Sequence, residues 1–166
     1  MNRVTGYLRD AHIPYELKAH HPTESAAETA RVLNIAPQRV LKTILLDTNR
    51  GHALVVILGS ERLDMHLVRE AVADPHAKLA TEGELASDLP FFELGRIPPL
   101  GRAMNVPTFV DPKVMEQTDV VFCPGRRNFS VFVHTEDLFN SEEVTVAPLV
   151  ELEDAETPLR LVGVSA

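Results

Sequence analysis

At 166 residues the chain fits one domain with a substantial core, and its lone cysteine, Cys123, permits no internal disulfide. The net charge of -8 argues against a protein that grips a long stretch of nucleic-acid backbone, because each phosphate contact calls for a lysine or arginine; one exposed 3′ end would need only a local basic patch. Aromatics at 5% without tryptophan exclude a broad base-stacking platform, and no amino-terminal apolar stretch reads as a signal peptide or membrane span, so a cytoplasmic protein is expected.

Residues 2 to 11 read as a short amphipathic helix with Val4, Tyr7 and Leu8 inward, and Ile13 to Leu17 as a strand. A second helix starts after Pro22 at the capping-box pattern Ser25-Ala26-Ala27-Glu28, turns Ala27, Ala30, Val32 and Leu33 inward, and ends before Pro37. Strands over 40 to 47 and 53 to 58 are joined by Thr48-Asn49-Arg50-Gly51, which suits a tight hairpin, and the unbroken apolar run Leu54 to Leu58 predicts burial on both faces. Leu63 to Val72 reads as a helix opened by Asp64, and Thr81-Glu82-Gly83-Glu84 opens another to about Leu89. Strand 107 to 111, a helical turn from Pro112, strand 119 to 123, a turn at Pro124-Gly125, strand 129 to 134 and a helical turn over Thr135 to Leu138 follow. Residues 1 to 140 form the domain. Residues 141 to 166 form an extension, with candidate strands at 144 to 146 and 159 to 162, packed on the domain or on a second copy. Interleaved helices and hairpin-linked strands favour an α+β fold with a mixed sheet.

Two segments point to chemistry. In Val40-Leu41-Lys42-Thr43-Ile44-Leu45-Leu46, alternation sets Lys42 on one face with Val40, Ile44 and Leu46, so its ammonium lies among apolar groups unless it faces a cavity or snorkels from a sheet edge. In Gly95-Arg96-Ile97-Pro98-Pro99-Leu100-Gly101, two glycines bracket a rigid Pro-Pro, which fixes a loop while letting backbone approach a ligand; the alternative is an ordinary turn.

Taken in order, Val40-Leu41-Lys42-Thr43-Ile44-Leu45, Gly95-x-x-x-Pro99-Leu100-Gly101, Val106-Pro107-Thr108-Phe109-Val110-Asp111 and Gly125-Arg126-Arg127 resemble the YbaK/EbsC family of aminoacyl-tRNA deacylases, which includes the editing domain inserted in bacterial prolyl-tRNA synthetases. The likeness runs from about His20 to Leu138. It implies a sheet curled into a partial barrel around a pocket, flanked by helices, and a free-standing enzyme that hydrolyses mischarged tRNA in trans without metal or organic cofactor. By the same resemblance Lys42 orients the substrate end, the loop from Gly95 through Arg96, Ile97, Pro98, Pro99 and Gly101 contacts the aminoacyl group, and the substrate's own ribose hydroxyl assists, so that no protein nucleophile is demanded. The partner is then the aminoacyl-tRNA acceptor end. A synthetase partner, and the choice between monomer and homodimer, stay open. So does a second class, a non-catalytic module that holds aminoacyl-tRNA or a synthetase in the same pocket, and a third, a small-molecule hydrolase or binder.

Other residues carry weaker signals. Backbone N–H groups for an oxyanion would come from Gly95, Arg96, Ile97, Leu100 and Gly101, since prolines have none. His20 either touches substrate or sits in a solvated turn, and the scattered histidines lack metal-ligand spacing. Cys123 reads as a buried small hydrophobe rather than a nucleophile, although the resemblance brings it to the pocket. Gly125-Arg126-Arg127 either meets terminal phosphates or is an exposed turn. Ser130 stands where some relatives carry a carboxylate, which leaves the amino-acid preference open.

Overall fold

The centre of the fold is a hairpin of β2 (Leu41–Thr48) and β3 (Gly51–Leu58), paired without interruption from Leu41 opposite Leu58 to Thr48 opposite Gly51. The computed structural model describes residues 2–88, 92–93, 96–140 and 142–152. Asn49 and Arg50 make the turn, and Gly51 takes φ 106°, a left-handed backbone that glycine adopts without a Cβ clash. On one side β4 (Lys78–Leu79) pairs antiparallel with β2; on the other β5 (Thr108–Val110) runs parallel to β3, and β8 (Val144–Val146) parallel to β5. A second, antiparallel sheet has β7 (Phe129–His134) between β1 (Glu16–Ala19) and β6 (Asp119–Phe122). A parallel bridge from Val40 to Val121 joins the two sheets. The expected α+β fold with mixed pairing is present, its curled sheet realised as these two linked sheets.

Three apolar clusters hold the sheets and helices together. Leu41, Val56 and Leu58 meet Val120, Phe122, Val131 and Val133 between the two sheets, closed by Val4 and Leu8 of α1 (Asn2–Asp10) and Leu138 of α7 (Thr135–Asn140). Leu46, Val55 and Ile57 pack on Val68 of α3 (Met65–Val72) and on Leu149, while Leu45 and Leu54 pack on Ile97. Leu54 to Leu58 is therefore buried on both faces, as its unbroken apolar run predicts. Residues of the extension join this body through β8 and Leu149. The candidate strand at 159 to 162 lies outside the described residues.

Helix starts follow their caps. Ser25 Oγ accepts from Glu28 N at 3.1 Å at the head of α2 (Ala26–Leu33), Asp64 caps α3, and Thr81 and Glu84 exchange both capping-box bonds at α4 (Glu82–Asp88). Several details differ from the sequence reading. The first strand starts at Glu16 because Ile13 is spent as a core anchor before it. On α2, Ala30 is buried and Ala26 meets Gly59, whereas Ala27 and Val32 face solvent. Three short elements were unexpected, a 3-10 turn at Pro37–Arg39, β4 and α5 (Gly101–Met104), and α6 (Pro112–Met115) is the predicted turn at Pro112.

Candidate functional site

The start of β2, the amino end of α2, the Arg96 segment and the junction of β6 with β7 enclose a cavity of about 260 Å³. Ile44 and Leu46, on the same face of β2 as Lys42, pack toward α3, but that face opens at Lys42, which is exposed and lines the cavity. The ammonium is therefore not among apolar neighbours: of the situations the alternation allowed, it faces a cavity. Among the described residues it has no carboxylate or hydrogen-bond partner, so its charge is available to a ligand.

Across the cavity, Ser130 is buried and hydrogen-bonded to His20, Oγ to Nε2 at 2.7 Å. The other ring nitrogen, Nδ1, lies 2.7 Å from the His21 carbonyl. A carbonyl only accepts, so Nδ1 carries a proton, and in the neutral ring Nε2 accepts the Ser130 proton. Ser130 Oγ then has only lone pairs left for the cavity. His20 acts from behind Ser130 and is not itself part of the lining.

The cavity mouth is held by ion pairs. Arg127 Nη1 meets Glu24 Oε2 at 2.6 Å, and its Nε and backbone N–H both reach Glu93 Oε1, at 3.3 and 2.8 Å. Arg96 Nη2 donates to the Thr23 carbonyl at 3.0 Å and lies 3.8 Å from Glu24 Oε1, while its buried Nε–H has no acceptor among the described residues. The positive end of α2 faces the same space: Ala26 and Ala27 line it, and first-turn N–H groups have no intrahelical acceptor. An anionic oxygen bound here would meet Lys42, Arg96 and that helix end.

A family model described as the aminoacyl-tRNA editing domain matches residues 20–140, the span that contains every wall of this cavity. The chain belongs to that family. Among solved structures, the editing domain is similar to a hypothetical protein at 25% identity and TM-score 0.81, over 90% of this chain and 99% of the other. It also has the fold of a proposed trans-editing enzyme for prolyl tRNA synthetase, at 22% identity and TM-score 0.80, over 91% and 96% of the two chains. The same fold makes up 31% of a protein from Marinobacter aquaeolei VT8 described as acting in signal transduction, at 16% identity and TM-score 0.69 over 91% of this chain.

Within the editing domain the sequence-derived residues separate into two groups. Lys42, Arg96, Ile97, Cys123 and Ser130 line the cavity. Burial pushes the Cys123 thiol above its ordinary range, and its Sγ contacts the Arg126 carbonyl at 3.2 Å, so it packs and does not present a thiolate. Gly95 lies outside the described residues. Pro98, Pro99 and Gly101 are buried away from the cavity, and Pro98 borders a separate 190 Å³ cavity beside Phe92. A Cβ on Gly101 would fall 1.8 Å from Thr108 Oγ1 and 2.7 Å from the Val106 carbonyl oxygen, which makes this glycine a packing requirement. Gly125 takes φ 118° against Phe92, also outside the cavity lining. The backbone donors expected of the loop are reduced as well, because Arg96 N is spent on the Glu93 carbonyl at 2.8 Å.

The basic patch also changes character. Arg127 is tied to two carboxylates, leaving Arg126 as its exposed member. Sequence reasoning missed Thr23, Glu24 and Glu93. The first two precede the Ser25 cap, so the capping box marked the segment without revealing that its helix end opens on the site. Nothing in the sequence pairs Glu93 with Arg127.

Proposed function

We propose that this editing domain is a free-standing aminoacyl-tRNA deacylase, hydrolysing the ester of mischarged tRNA in trans. The observation that carries this reading is the Lys42 ammonium, unpartnered among the described residues, in a cavity that also holds Arg96, the positive end of α2 and an acceptor-only Ser130 hydroxyl. Hydrolysis requires water to attack the ester carbonyl carbon, negative charge to develop on the carbonyl oxygen, and the bond to the ribose oxygen to break as that oxygen takes a proton. Lys42 supports the developing charge and Arg96 fixes the ribose or phosphate side. This reading calls on no protein nucleophile: burial holds the Cys123 thiol protonated, and water attacks the ester directly. Water and the substrate's own hydroxyls provide the remaining groups.

The alternative is a module that uses the same cation and cavity to hold aminoacyl-tRNA without cleaving it. A panel of mischarged tRNAs incubated with the purified protein separates the two. Accelerated ester loss from at least one member is expected; retention of every ester by a protein that still binds the charged tRNAs would establish the binding module.

A further inference from the structure

Strand β7 leads out of the cavity. Its core-facing residues are Val131 and Val133, so Ser130, Phe132 and His134 share the opposite face. Ser130 lines the cavity, while Phe132, two residues or about 7 Å along the strand, lines a shallow groove of about 370 Å³ together with Arg39 and Tyr15. The neighbouring strand delivers a second cation to this place. Lys18 pairs directly opposite Ser130, and its ammonium lies over the Phe132 ring, 4.7 Å from the centroid. The Arg39 guanidinium stands 6.0 Å from the same ring, and its buried Nε–H has no acceptor among the described residues.

Neither cation has a carboxylate partner among the described residues, on a chain of net charge -8 whose Arg96 and Arg127 are both paired with Glu24. The acidic residues that border the groove are Glu16, which stands opposite Phe132 in the β1–β7 register without pairing with Lys18 or Arg39, and Asp119, which is paired with His134. An aromatic ring with unpaired cations, on a sheet face continuous with the cavity, offers one base a stacking surface and its phosphates two counter-charges.

We propose that this face binds the single-stranded nucleotides that precede the terminal aminoacylated adenosine, one base stacking on Phe132 as Lys18 moves from the ring to a phosphate and Arg39 holds the next. The assignment rests on the aminoacyl-tRNA reading of the cavity. It places the incoming strand on β1 and β7, where the sequence pattern had pointed to Arg126 and Arg127.

Fluorescence anisotropy of a labelled, uncharged acceptor-stem minihelix, with and without its single-stranded 3′ tail, tests the face apart from catalysis. The wild-type protein should bind the tailed form tighter than the blunt one. Phe132→Leu, which keeps an apolar side chain in place, should weaken tailed binding about tenfold and leave blunt binding unchanged. Lys18→Ala should lower the salt dependence by about one phosphate contact. Equal affinity of wild type and Phe132→Leu for the tailed form, or equal losses on both forms, would overturn the proposal. Failure of the deacylase reading appears elsewhere, as wild-type protein that releases no amino acid while still preferring the tailed minihelix.

Discussion

Replacing Lys42 with alanine removes one charge from the cavity wall and nothing from the core. A unit charge about 4 Å from a developing oxyanion is worth about 4 kcal/mol at an effective dielectric of about 20, and about 1 kcal/mol in bulk water. Lys42 is exposed yet lines an enclosed space, so its contribution lies between these limits. A value of about 3 kcal/mol corresponds to a rate loss of about two orders of magnitude. Because the side chain is exposed and has no ion-pair partner among the described residues, stability should move by no more than about 0.5 kcal/mol, without the gain that removing a buried charge would bring. Single-turnover deacylation of a mischarged tRNA, alongside thermal melts of both proteins, reads the two quantities separately. A Lys42→Ala protein that melts like wild type and deacylates within about threefold of it would refute the electrostatic role.

Further predictions concern packing, selectivity and pH. Gly101→Ala should destabilise the fold by about 1–3 kcal/mol or more, since the new methyl group collides with Thr108 and a backbone carbonyl; an unchanged denaturation midpoint would show that the short helix shifts freely. Ser130→Ala takes the acceptor-only hydroxyl from the cavity, so the order of preference among mischarged tRNAs should change more than the best rate, and an unaltered ranking would remove Ser130 from selectivity. His52 is held above its ordinary range by the hydrogen bond to Asp88, with Asp47 also favouring its charged form. Its stabilising contribution is therefore full below the unfolded-state value of about 6.5 and is lost as pH rises through the higher folded-state value. The melting difference between wild type and His52→Gln should shrink as pH rises from below about 6.5 through the raised folded-state value; a difference that grows with pH would contradict the pairing.

Local rules made much of the fold legible. Alternation identified the β2 and β3 hairpin, an unbroken apolar run marked the doubly buried β3, and Ser25, Asp64 and Thr81 announced three helix starts. A two-residue strand such as β4 has no periodicity to detect, and both its residues stay exposed while their backbone pairs with Leu46 and Asp47. The site was legible where one residue type in one place carries the signal, as with Lys42. It was not legible where the partner is remote: Ser130 meets His20 across 110 residues and Arg127 meets Glu24 across 103. The glycines of the loop illustrate the same limit. Only the neighbours of Gly101, Thr108 and Val106, show that it is fixed by packing rather than by a ligand.

The central claim, that this cavity receives the aminoacylated 3′ end, is tested most directly by amide chemical-shift mapping with a non-hydrolysable aminoacyl-adenosine analogue in which an amide replaces the ester. Shifts should concentrate at Thr23, Ala26, Lys42, Cys123 and Ser130, the walls of the 260 Å³ cavity. A saturable set of shifts centred instead on Phe92, Leu100 and Met104 around the 190 Å³ cavity would contradict it.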